Sequence, residues 1–286
     1  MPELPEVETV RRGLNQLTLN KEITGGDVLL ERTIAYPSSV TEFLTGIKGS
    51  AIATWHRRGK YLVAELVSMD EMFRRNASRG LLGVHLRMTG QLLWLNRDEP
   101  LHKHTRVRLF FGSEELRFVD QRTFGQMWWV PPQVAVEKII TGLAKLALDP
   151  MMSEFTVEYL AEKLRYSRRS IKAALLDQSV VAGLGNIYAD EALFKSGILP
   201  DTPSQKLQLE QIELLHSSII QVLQTSIEAG GTTFSNFLNV KGTNGNYGGM
   251  AWVYNRAGKP CRVCGTPIGR TRLAGRSSHF CIQCQH

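Results

Sequence analysis

The sequence predicts a multidomain α+β protein with a β-rich N-terminal half, a helical second half and a small metal-binding module at the C-terminus. Short runs of branched or alternating apolar residues, punctuated by Gly and Asn, lie between residues 61 and 119 and are typical of strands. From Thr156 onward, apolar residues recur at the spacing of amphipathic helices. All four cysteines stand among the last 26 residues, in two pairs with metal-ligand spacing.

The N-terminal half is expected to begin with a helix and to continue as strands. Four apolar residues at helical spacing predict the helix, which Gly13 weakens: Val7, Val10, Leu14 and Leu17. Five strands are expected in a sandwich or a barrel: Tyr61–Val67, Leu81–Leu86, Gln91–Leu95, Thr105–Phe111 and Glu115–Val119. The polar segment Asp70–Gly80 is predicted to be a long hairpin loop.

The pattern of apolar residues in the second half of the chain predicts four helices. Their periodic apolar residues fall in four segments: Val157–Leu164, Ile171–Leu175, Ile187–Phe194 and Leu209–Leu223. Glycines and Asn186 stand at the start of the third helix, where free N–H groups can bind a phosphate, although most Gly-rich helix starts are only turns. The segment Thr232–Met250 is rich in Asn, Gly and Thr, and is either a functional loop or a disordered one.

We expect three domains, at residues 1–135, 150–235 and 250–286. Pro131-Pro132 ends the β-rich half, and Asp149-Pro150 leads into the helical half. The third domain carries the cysteines.

The cysteines form the pairs Cys261-x-x-Cys264 and Cys281-x-x-Cys284, with sixteen residues between them. Each pair places two thiolates on one tight turn, and two facing turns build a tetrahedral site with Zn–S distances of ~2.3 Å. Two disulfides are the alternative, which nothing else in the chain favours because no other feature suggests secretion. Four protein ligands leave zinc no open position. The sequence therefore predicts one structural Zn²⁺, with the chemistry located elsewhere.

Charge is unevenly distributed along the chain, whose formal net charge is +7. No acidic residue follows Glu228, while seven basic residues do: Lys241, Arg256, Lys259, Arg262, Arg270, Arg272 and Arg276. A surface of one sign attracts polyanions, so the tail favours nucleic acid as a partner; a solvated basic tail is the alternative.

The N-terminus is acidic and lacks the basic start and apolar run of a signal peptide. No stretch approaches ~18 uninterrupted apolar residues, the length of a membrane-spanning helix. We expect a cytoplasmic protein, associated with the nucleoid, that has no membrane partner and is a monomer in the simplest case.

Seven motifs, in order, are similar to those of bacterial formamidopyrimidine-DNA glycosylase (the Fpg/Nei family). They cover essentially the whole chain: Pro2–Leu14, Arg58–Leu62, His85–Gly90, Asp120–Gly125, Gly185–Tyr188, Gly230–Thr233 and the four cysteines. The resemblance implies an N-terminal catalytic β-sandwich domain with flanking helices, a helix-two-turn-helix DNA-binding domain and a C-terminal four-cysteine zinc finger.

The same resemblance implies a bifunctional DNA glycosylase and AP lyase of base excision repair. Such an enzyme removes oxidised purines, including 8-oxoguanine and formamidopyrimidines, through a Schiff base on an N-terminal proline and then by β,δ-elimination. Its partner would be double-stranded DNA that contains oxidised bases or abasic sites.

The chemistry of the N-terminus supports this resemblance independently. Removal of Met1 would leave Pro2 with a free secondary amine, and an α-amino group has a pKa of ~7.7–8.0, well below that of lysine. Attack of this amine on the sugar C1′ gives an iminium that is cationic without a proton. The C2′ proton then becomes acidic, and the phosphate can leave by elimination.

The resemblance assigns roles to three further residues. Glu3 would act as the acid and base that helps to expel the damaged base, and Lys60 would donate a proton during β-elimination. Arg276 would clamp the phosphate of the damaged nucleotide and assist δ-elimination. The preceding residue is Gly275, where the family usually has Gln, so we expect a more flexible hairpin at this point.

The resemblance also implies a set of DNA contacts. Met88, Arg122 and Phe124 would fill the gap that a flipped nucleotide leaves. Three residues would contact phosphate or sugar: His85, His104 and Asn186. A basic cluster on the helical half is expected along the DNA backbone: Arg168, Arg169 and Lys172.

Two alternatives to this function remain. An endonuclease VIII-like enzyme uses the same proline and zinc module on oxidised pyrimidines, although Leu4 and the set Met88, Arg122 and Phe124 favour the purine enzyme. The other alternative is a non-enzymatic zinc-ribbon protein that binds DNA, which composition alone permits.

Overall fold

The structure is a computed structural model that describes residues 1–68, 77–232 and 238–286. Residues 69–76 of the predicted hairpin loop Asp70–Gly80, and residues 233–237 of the predicted loop Thr232–Met250, lie outside the described part. The chain forms two compact units. The first comprises Met1–Ala144 with Gly230–Gly245, and the second comprises Lys145–Ala229 with Asn246–His286. The division into three domains stays a prediction.

The first unit is built from strands and three helices within its described residues. The strands are β1 Gly25–Val28, β2 Ile34–Tyr36, β3 Ser50–Arg58, β4 Tyr61–Ser68, β5 Ser78–His85, β6 Gly90–Asn96, β7 Thr105–Phe111, β8 Glu114–Asp120 and β9 Gln126–Val130. The helices are α1 Leu4–Leu17, α2 Val40–Ile47 and α3 Val136–Ile139.

These strands form two sheets that share one core. The five-stranded sheet has the order β2-β9-β5-β4-β3, and the four-stranded sheet has the order β1-β7-β8-β6. All neighbours pair antiparallel except β2 and β9. Buried side chains of both sheets meet in a single cluster, among them Ile52, Leu62, Leu109 and Phe118. Of the predicted alternatives, the structure is therefore a sandwich, and the five predicted strands are confirmed as β4 to β8.

Helix α1 is anchored to the five-stranded sheet. Val7, Val10 and Leu14 are fully buried in the shared core. The Asn15 amide exchanges two hydrogen bonds with the backbone of Trp55 in β3, at 2.8 and 3.0 Å. These two hydrogen bonds to the strand backbone fix the position of the helix along its axis and its rotation about that axis. The start of the chain is consequently held in place.

Gly13, which weakens the predicted helix, is explained by close packing. A Cβ at this position would lie well inside van der Waals contact with Cγ2 of Val240. Val240 is 1% exposed, and its backbone carbonyl accepts a hydrogen bond from Trp94 N–H at 2.9 Å. The glycine therefore lets the returning segment of the chain pack directly on α1.

The second unit contains the four predicted helices, one further short helix and a hairpin. The bounds are α4 Val157–Leu164, α5 Ile171–Leu175, α6 Asn186–Lys195, α7 Leu209–Glu228, α8 Tyr247–Met250, β10 Gly269–Leu273 and β11 Arg276–Phe280. Side-chain caps from Thr156 and Ser170 begin α4 and α5. The last part of the predicted loop is thus helical, as α8. No helix of the described residues is long and apolar enough to span a bilayer.

Glu191, a fully buried residue of α6, organises the segment that leads to the cysteines. Its carboxylate accepts the N–H groups of Trp252, Val253 and Tyr254 at 2.8–2.9 Å. Val253 and the α6 residue Phe194 then pack against two of the cysteines in a small core. The cysteine module is therefore fixed to α6 within this unit.

Replacement of Gly13 by Ala tests the close packing of α1. Alanine favours a helix over glycine by about 1 kcal/mol, but the clash with the stiff, buried Val240 side chain should outweigh this gain. We expect Gly13→Ala to lower the free energy of unfolding by about 1–2 kcal/mol in urea titrations. The control is the double variant Gly13→Ala/Val240→Ala, which should lose less than the sum of the single variants. A Gly13→Ala variant more stable than the native chain would contradict the prediction.

Candidate active site and zinc centre

The start of the chain lines a cavity of the first unit. Pro2 is buried and forms part of the wall of this cavity, which has a volume of about 560 Å³. Met88, His104 and Leu238 contribute to other parts of the wall. Three residues that the sequence assigns to one active site, Pro2, Met88 and His104, therefore border one space.

Glu6 holds the residues around Pro2 in place, a role that the sequence analysis missed. It is fully buried, and its Oε2 accepts the N–H of Glu3 at 2.8 Å while its Oε1 accepts the N–H of Thr232 at 2.9 Å. The carboxylate thus caps α1 and binds the start of the segment that follows α7. The spacing of Glu3 and Glu6 at a helix start is the signal that could have revealed it.

Burial at the chain start favours an uncharged amine, while the nearby charges act in both directions. Burial lowers the pKa of the Met1 α-ammonium, and the positive charges of Lys60 and Arg122 lower it further, whereas Glu3 and Glu6 act in the opposite direction. Lys60 and Arg122 therefore lie close to the N-terminus, together with Glu3. Pro2 is the next residue in the chain.

Lys60 is positioned by a tight hairpin between β3 and β4. Arg58 pairs with Tyr61, so Gly59 and Lys60 form a two-residue loop. Gly59 has a φ of 56°, a conformation that glycine adopts without strain. Lys60 is only 7% exposed. The predicted position at a hairpin tip is observed, but the side chain is largely withdrawn from solvent.

His85 is a neutral group in this site. Burial lowers its pKa to about 3, and the charges of Arg87 and Lys60 act in the same direction. Its Nδ1 accepts the backbone N–H of Arg87 at 3.0 Å. The ring is therefore available as an Nε2–H donor rather than as a cation.

The three predicted gap-filling residues lie on two turns of the first unit. Phe124 is 53% exposed, and the Arg122 guanidinium carbon lies 4.9 Å from the centre of its ring. Met88 is partly exposed, on the turn between β5 and β6. An exposed aromatic ring stacked on arginine has no role in the core, so it is available for an external ligand.

His104 lies beside the positively charged side chain of Arg106. Its Nδ1 lies 3.0 Å from Nη2 of Arg106. Partial desolvation lowers the His104 pKa, and Lys103 and Arg106 lower it further. The Arg106 Nε in turn donates to the carbonyl of Asp120 at 2.8 Å. This rim of the cavity is therefore positively charged and well ordered.

In the second unit, Arg276 begins β11 and is exposed, directly after the hairpin turn. Leu273 pairs with Arg276, which leaves a two-residue loop whose φ values are 48° at Ala274 and 75° at Gly275. Two positive φ values define a type I′ turn, in which glycine is favoured. Gly275 thus suits the backbone geometry of a tight hairpin, and the greater flexibility expected from the sequence stays a prediction.

The strand β11 is held by donors from two helices. The Ser277 carbonyl accepts from Lys172 Nζ at 2.7 Å and from Asn186 Nδ2 at 3.1 Å. Lys172 Nζ also lies 2.6 Å from Asp190 Oδ1, with both side chains fully buried, and Asp190 Oδ2 accepts the N–H of His279 at 2.9 Å. The residue next to Arg276 is therefore tied to α5 and α6.

These contacts correct the predicted basic cluster. Lys172 is buried and ion-paired, so it is not part of an exposed surface. Arg169 pairs with Asp177 at 2.8 Å, whereas Arg168 is exposed as predicted. The side-chain amide nitrogen of Asn186 donates to the Ser277 carbonyl of the hairpin. A contact between Asn186 and a phosphate would therefore be made by the backbone at the start of α6.

The four cysteines fit a single zinc ion. All four sulfur atoms lie within 4.8 Å of one another, and none of the four cysteines forms a disulfide. The pairs Cys264–Cys281 and Cys261–Cys284 have Sγ–Sγ distances of 3.4 and 3.9 Å. A tetrahedron with Zn–S bonds of ~2.3 Å has edges of about 3.8 Å, so these distances suit structural Zn²⁺.

Three family models match the chain. They describe a formamidopyrimidine-DNA glycosylase N-terminal domain over residues 1–127, a formamidopyrimidine-DNA glycosylase H2TH domain over residues 146–237 and a zinc finger found in FPG and IleRS over residues 258–286. The predicted family, fold class and structural zinc are thereby confirmed.

Individual proteins and solved structures are similar to this chain over its whole length. The formamidopyrimidine-DNA glycosylase of Nostoc punctiforme is 79% identical over 286 residues, which cover 100% of this chain and 96% of that protein. A solved complex between a Lactococcus lactis FPG mutant and Fapy-dG-containing DNA has a TM-score of 0.88 and 33% identity, with 100% of both chains covered. The complex between the Lactococcus lactis Fpg and DNA containing an abasic site has the same TM-score and identity, with 99% of each chain covered.

Removal of zinc tests the role of the cysteine module. Without the metal, the short module has little core of its own and should unfold. We expect a chelator to abolish binding to a duplex with an abasic-site analogue, measured by fluorescence anisotropy. The fluorescence of the tryptophans should change little, because four of the five lie in the first unit. Equal DNA affinity of stripped and zinc-loaded protein would refute a structural role for the metal.

The protonation state of His85 provides a second test. Long-range ¹H–¹⁵N spectra of the free protein should show a neutral ring from pH 8 to about pH 4, because burial and two cations oppose its charging. Its contribution to stability should be complete above ~pH 6.5 and decline as the pH falls toward 3, where the unfolded chain binds the extra proton. Lys60→Met should raise the His85 pKa. Titration near pH 6.5 in the native chain would contradict this environment.

Proposed function

The chain belongs to the formamidopyrimidine-DNA glycosylase family, and we propose that it is a bifunctional DNA glycosylase and AP lyase that excises oxidised purines from duplex DNA. Formamidopyrimidines and 8-oxoguanine would be its substrates. The observation that carries this proposal is the burial of Pro2 in a cavity wall, beside Glu3 and next to a terminal amine whose pKa burial lowers. A chain end in such surroundings suits an amine nucleophile better than a purely structural role.

The first step would form a covalent link between the protein and the sugar. After loss of Met1, the Pro2 nitrogen attacks C1′, the bond from C1′ to the base breaks, and the departing base takes up a proton. Glu3, buried next to Pro2, is the acid and base that can deliver protons at this point. The Pro2 nitrogen then loses its proton, the bond from C1′ to O4′ breaks, and O4′ takes up a proton, which opens the sugar and leaves a cationic iminium that carries no proton on nitrogen.

Elimination would follow from the acidity of the iminium. Loss of the C2′ proton sends an electron pair toward the cationic nitrogen and expels the 3′ phosphate, and a second elimination expels the 5′ phosphate. Lys60 would transfer protons in the first elimination, and its low exposure supports a site near the sugar rather than in solvent. Arg276 would hold the phosphate, since a guanidinium can bind two of its oxygens at once.

The other site residues would bring the damaged nucleotide to Pro2. Met88, Arg122 and Phe124 would enter the gap in the duplex, which the exposure of Phe124 and its stacking with Arg122 support. Phosphate or sugar contacts are proposed for four residues: His85, His104, Arg168 and Asn186. The bound zinc would supply no chemistry. The four cysteines would instead keep the Arg276 hairpin folded.

Each of the three predicted domains is assigned one role in this mechanism. We propose that residues 1–135 carry the chemistry, that residues 150–235 bind DNA through the helix-two-turn-helix, and that residues 250–286 hold the phosphate clamp. Chromosomal DNA as substrate would make the nucleoid the working location of the protein. A monomer is sufficient for this mechanism, because each proposed catalytic residue belongs to one chain.

Covalent trapping tests this function directly. Borohydride should convert the iminium into a stable adduct between the protein and a duplex with 8-oxoguanine opposite cytosine, visible as a shifted band on a denaturing gel. Pro2→Gly should trap at least about tenfold more slowly, because a primary amine gives an imine that needs a proton to act as an electron sink. Glu3→Gln should lower base release by about 10²–10⁴-fold while DNA binding persists.

Three results would contradict the proposal. Absence of an adduct under conditions where the protein binds the duplex would support the zinc-ribbon protein that only binds DNA. Clear preference for thymine glycol opposite adenine would support the endonuclease VIII-like alternative. Mass spectrometry that finds Met1 retained on the active protein would remove the nucleophile.

A further inference from the structure

Asp120, the last residue of β8, has a carboxylate that the proposed chemistry does not use. It is 1% exposed and accepts three hydrogen bonds. Its Oδ1 accepts from the Thr89 hydroxyl and from the Arg122 N–H, the latter at 3.2 Å, and its Oδ2 accepts from the Gly125 N–H at 2.7 Å. A buried carboxylate with both oxygens occupied in this way is fixed in position and fixes its donors in turn.

The three donors lie on the two turns that carry the proposed wedge. Thr89 follows Met88 on the first turn, while Arg122 and Gly125 enclose Phe124 on the second. The Thr89 hydroxyl also accepts the Arg122 N–H at 3.0 Å, which joins the turns directly. The Asp120 carboxylate therefore forms hydrogen bonds with both turns.

Both turns contain a residue in a conformation that is unfavourable outside the folded protein. Arg87 and Thr123 have φ values of 52° and 58°, in the left-handed region that residues other than glycine rarely adopt. Such conformations persist only where surrounding interactions impose them. The bonds to Asp120 are interactions of this kind, since they hold Thr89 and the residues on both sides of Thr123.

The backbone of Asp120 extends the connection to the rim of the cavity. Its N–H donates to the His104 carbonyl at 2.9 Å, and its carbonyl accepts from Arg106 Nε at 2.8 Å. One residue therefore contacts both wedge turns and the strand start that carries His104.

We propose that Asp120 is a positioning residue for nucleotide flipping: its carboxylate holds the Met88 turn and the turn of Arg122 and Phe124 together as one preformed wedge. The inference rests on the proposed function. A wedge that is ordered before DNA arrives loses little conformational freedom when it enters the base stack, so more of the contact energy offsets the cost of unstacking. Two independent turns would each have to be ordered during insertion.

Asp120→Asn is the decisive variant, because it keeps size and shape but leaves a single acceptor oxygen. If that oxygen faces Thr89 and Arg122, the amide NH₂ opposes the Gly125 N–H; if the amide is turned round, it opposes the Arg122 N–H instead. We expect release of 8-oxoguanine from a duplex to fall by about ten- to a hundredfold. Borohydride trapping on a single-stranded oligonucleotide with a preformed abasic site should stay within about twofold, since no stack has to be opened there.

A fluorescent base reports the wedge itself. With 2-aminopurine next to the lesion in the duplex, the wild type should give an increase in fluorescence on flipping, and Asp120→Asn should reduce the rate of that increase in parallel with base release. Thr89→Val removes one donor to Asp120 and should show a smaller loss of the same kind, whereas Thr89→Ser keeps the hydroxyl and should recover the wild-type rate. This pair preserves the test should Asp120→Asn fail to fold.

The outcomes separate the inference from the function on which it rests. Selective loss of duplex excision and of the fluorescence change supports the positioning role. Equal losses on duplex and single-stranded substrates, or no loss on either, would overturn it while the glycosylase assignment stands. Wild-type protein that gives no adduct on either substrate would instead overturn the proposed function.

Discussion

The structure depends on holding a chain end still. A terminus is ordinarily the least ordered part of a domain, yet the proposed nucleophile is the second residue of this chain. Helix α1 meets this constraint in three ways: its apolar face is fully buried in the sandwich core, Asn15 bonds to the backbone of β3, and Glu6 bonds to the N–H of Glu3. Each contact acts within a few turns of Pro2. The β-sandwich is thus the rigid surface against which the terminus is fixed, and the close approach allowed by Gly13 brings the segment around Val240 to the same helix.

Buried carboxylates fix further segments of the chain in the same way within each of the two units. Several carboxylates are almost fully buried and accept backbone N–H groups from a strand or from a segment without regular structure. Among them are Glu6, Asp120, Asp190 and Glu191. Side chains that are proposed to reach DNA, such as Phe124 and Arg276, cannot also anchor themselves in the core. The turn of Phe124 and the strand that begins at Arg276 are instead held by buried acids. Removing such an acid would leave several N–H groups without a partner, so its effect would extend beyond one bond.

The parts of this arrangement that could be predicted from sequence are those with local signals. Strands β4 to β8 have seven or eight residues of branched or alternating apolar character, and the cysteine spacing predicts a tetrahedral site. Strand β1 reads Gly-Gly-Asp-Val and β2 has three residues, so neither carries a pattern long enough to detect. Lys172 stands in a basic run, and only the fold shows that it is buried against Asp190. The bond from Thr232 to Glu6 and the bond from Thr89 to Asp120 were likewise hidden, because these partners lie 226 and 31 positions away. The catalytic roles of Pro2, Lys60 and Arg276 were proposed from motif resemblance, since no periodicity marks a catalytic residue.

The charges around the N-terminus suggest how attack and proton transfer are connected. Glu3 raises the pKa of the amine at the chain start, whereas Lys60 and Arg122 lower it. A proton on Glu3 would cancel its negative charge, so the state in which Glu3 can act as an acid is also the state in which the amine is most easily deprotonated. The converse holds as well, because the coupling between two titrating groups is reciprocal. With one proton between the two groups, attraction between unlike charges favours an ionised Glu3 beside a charged amine, whereas burial of the amine and the charges of Lys60 and Arg122 oppose that state. The proposed attack on C1′ therefore needs the amine to lose its proton first, and burial is the main contribution that favours this loss.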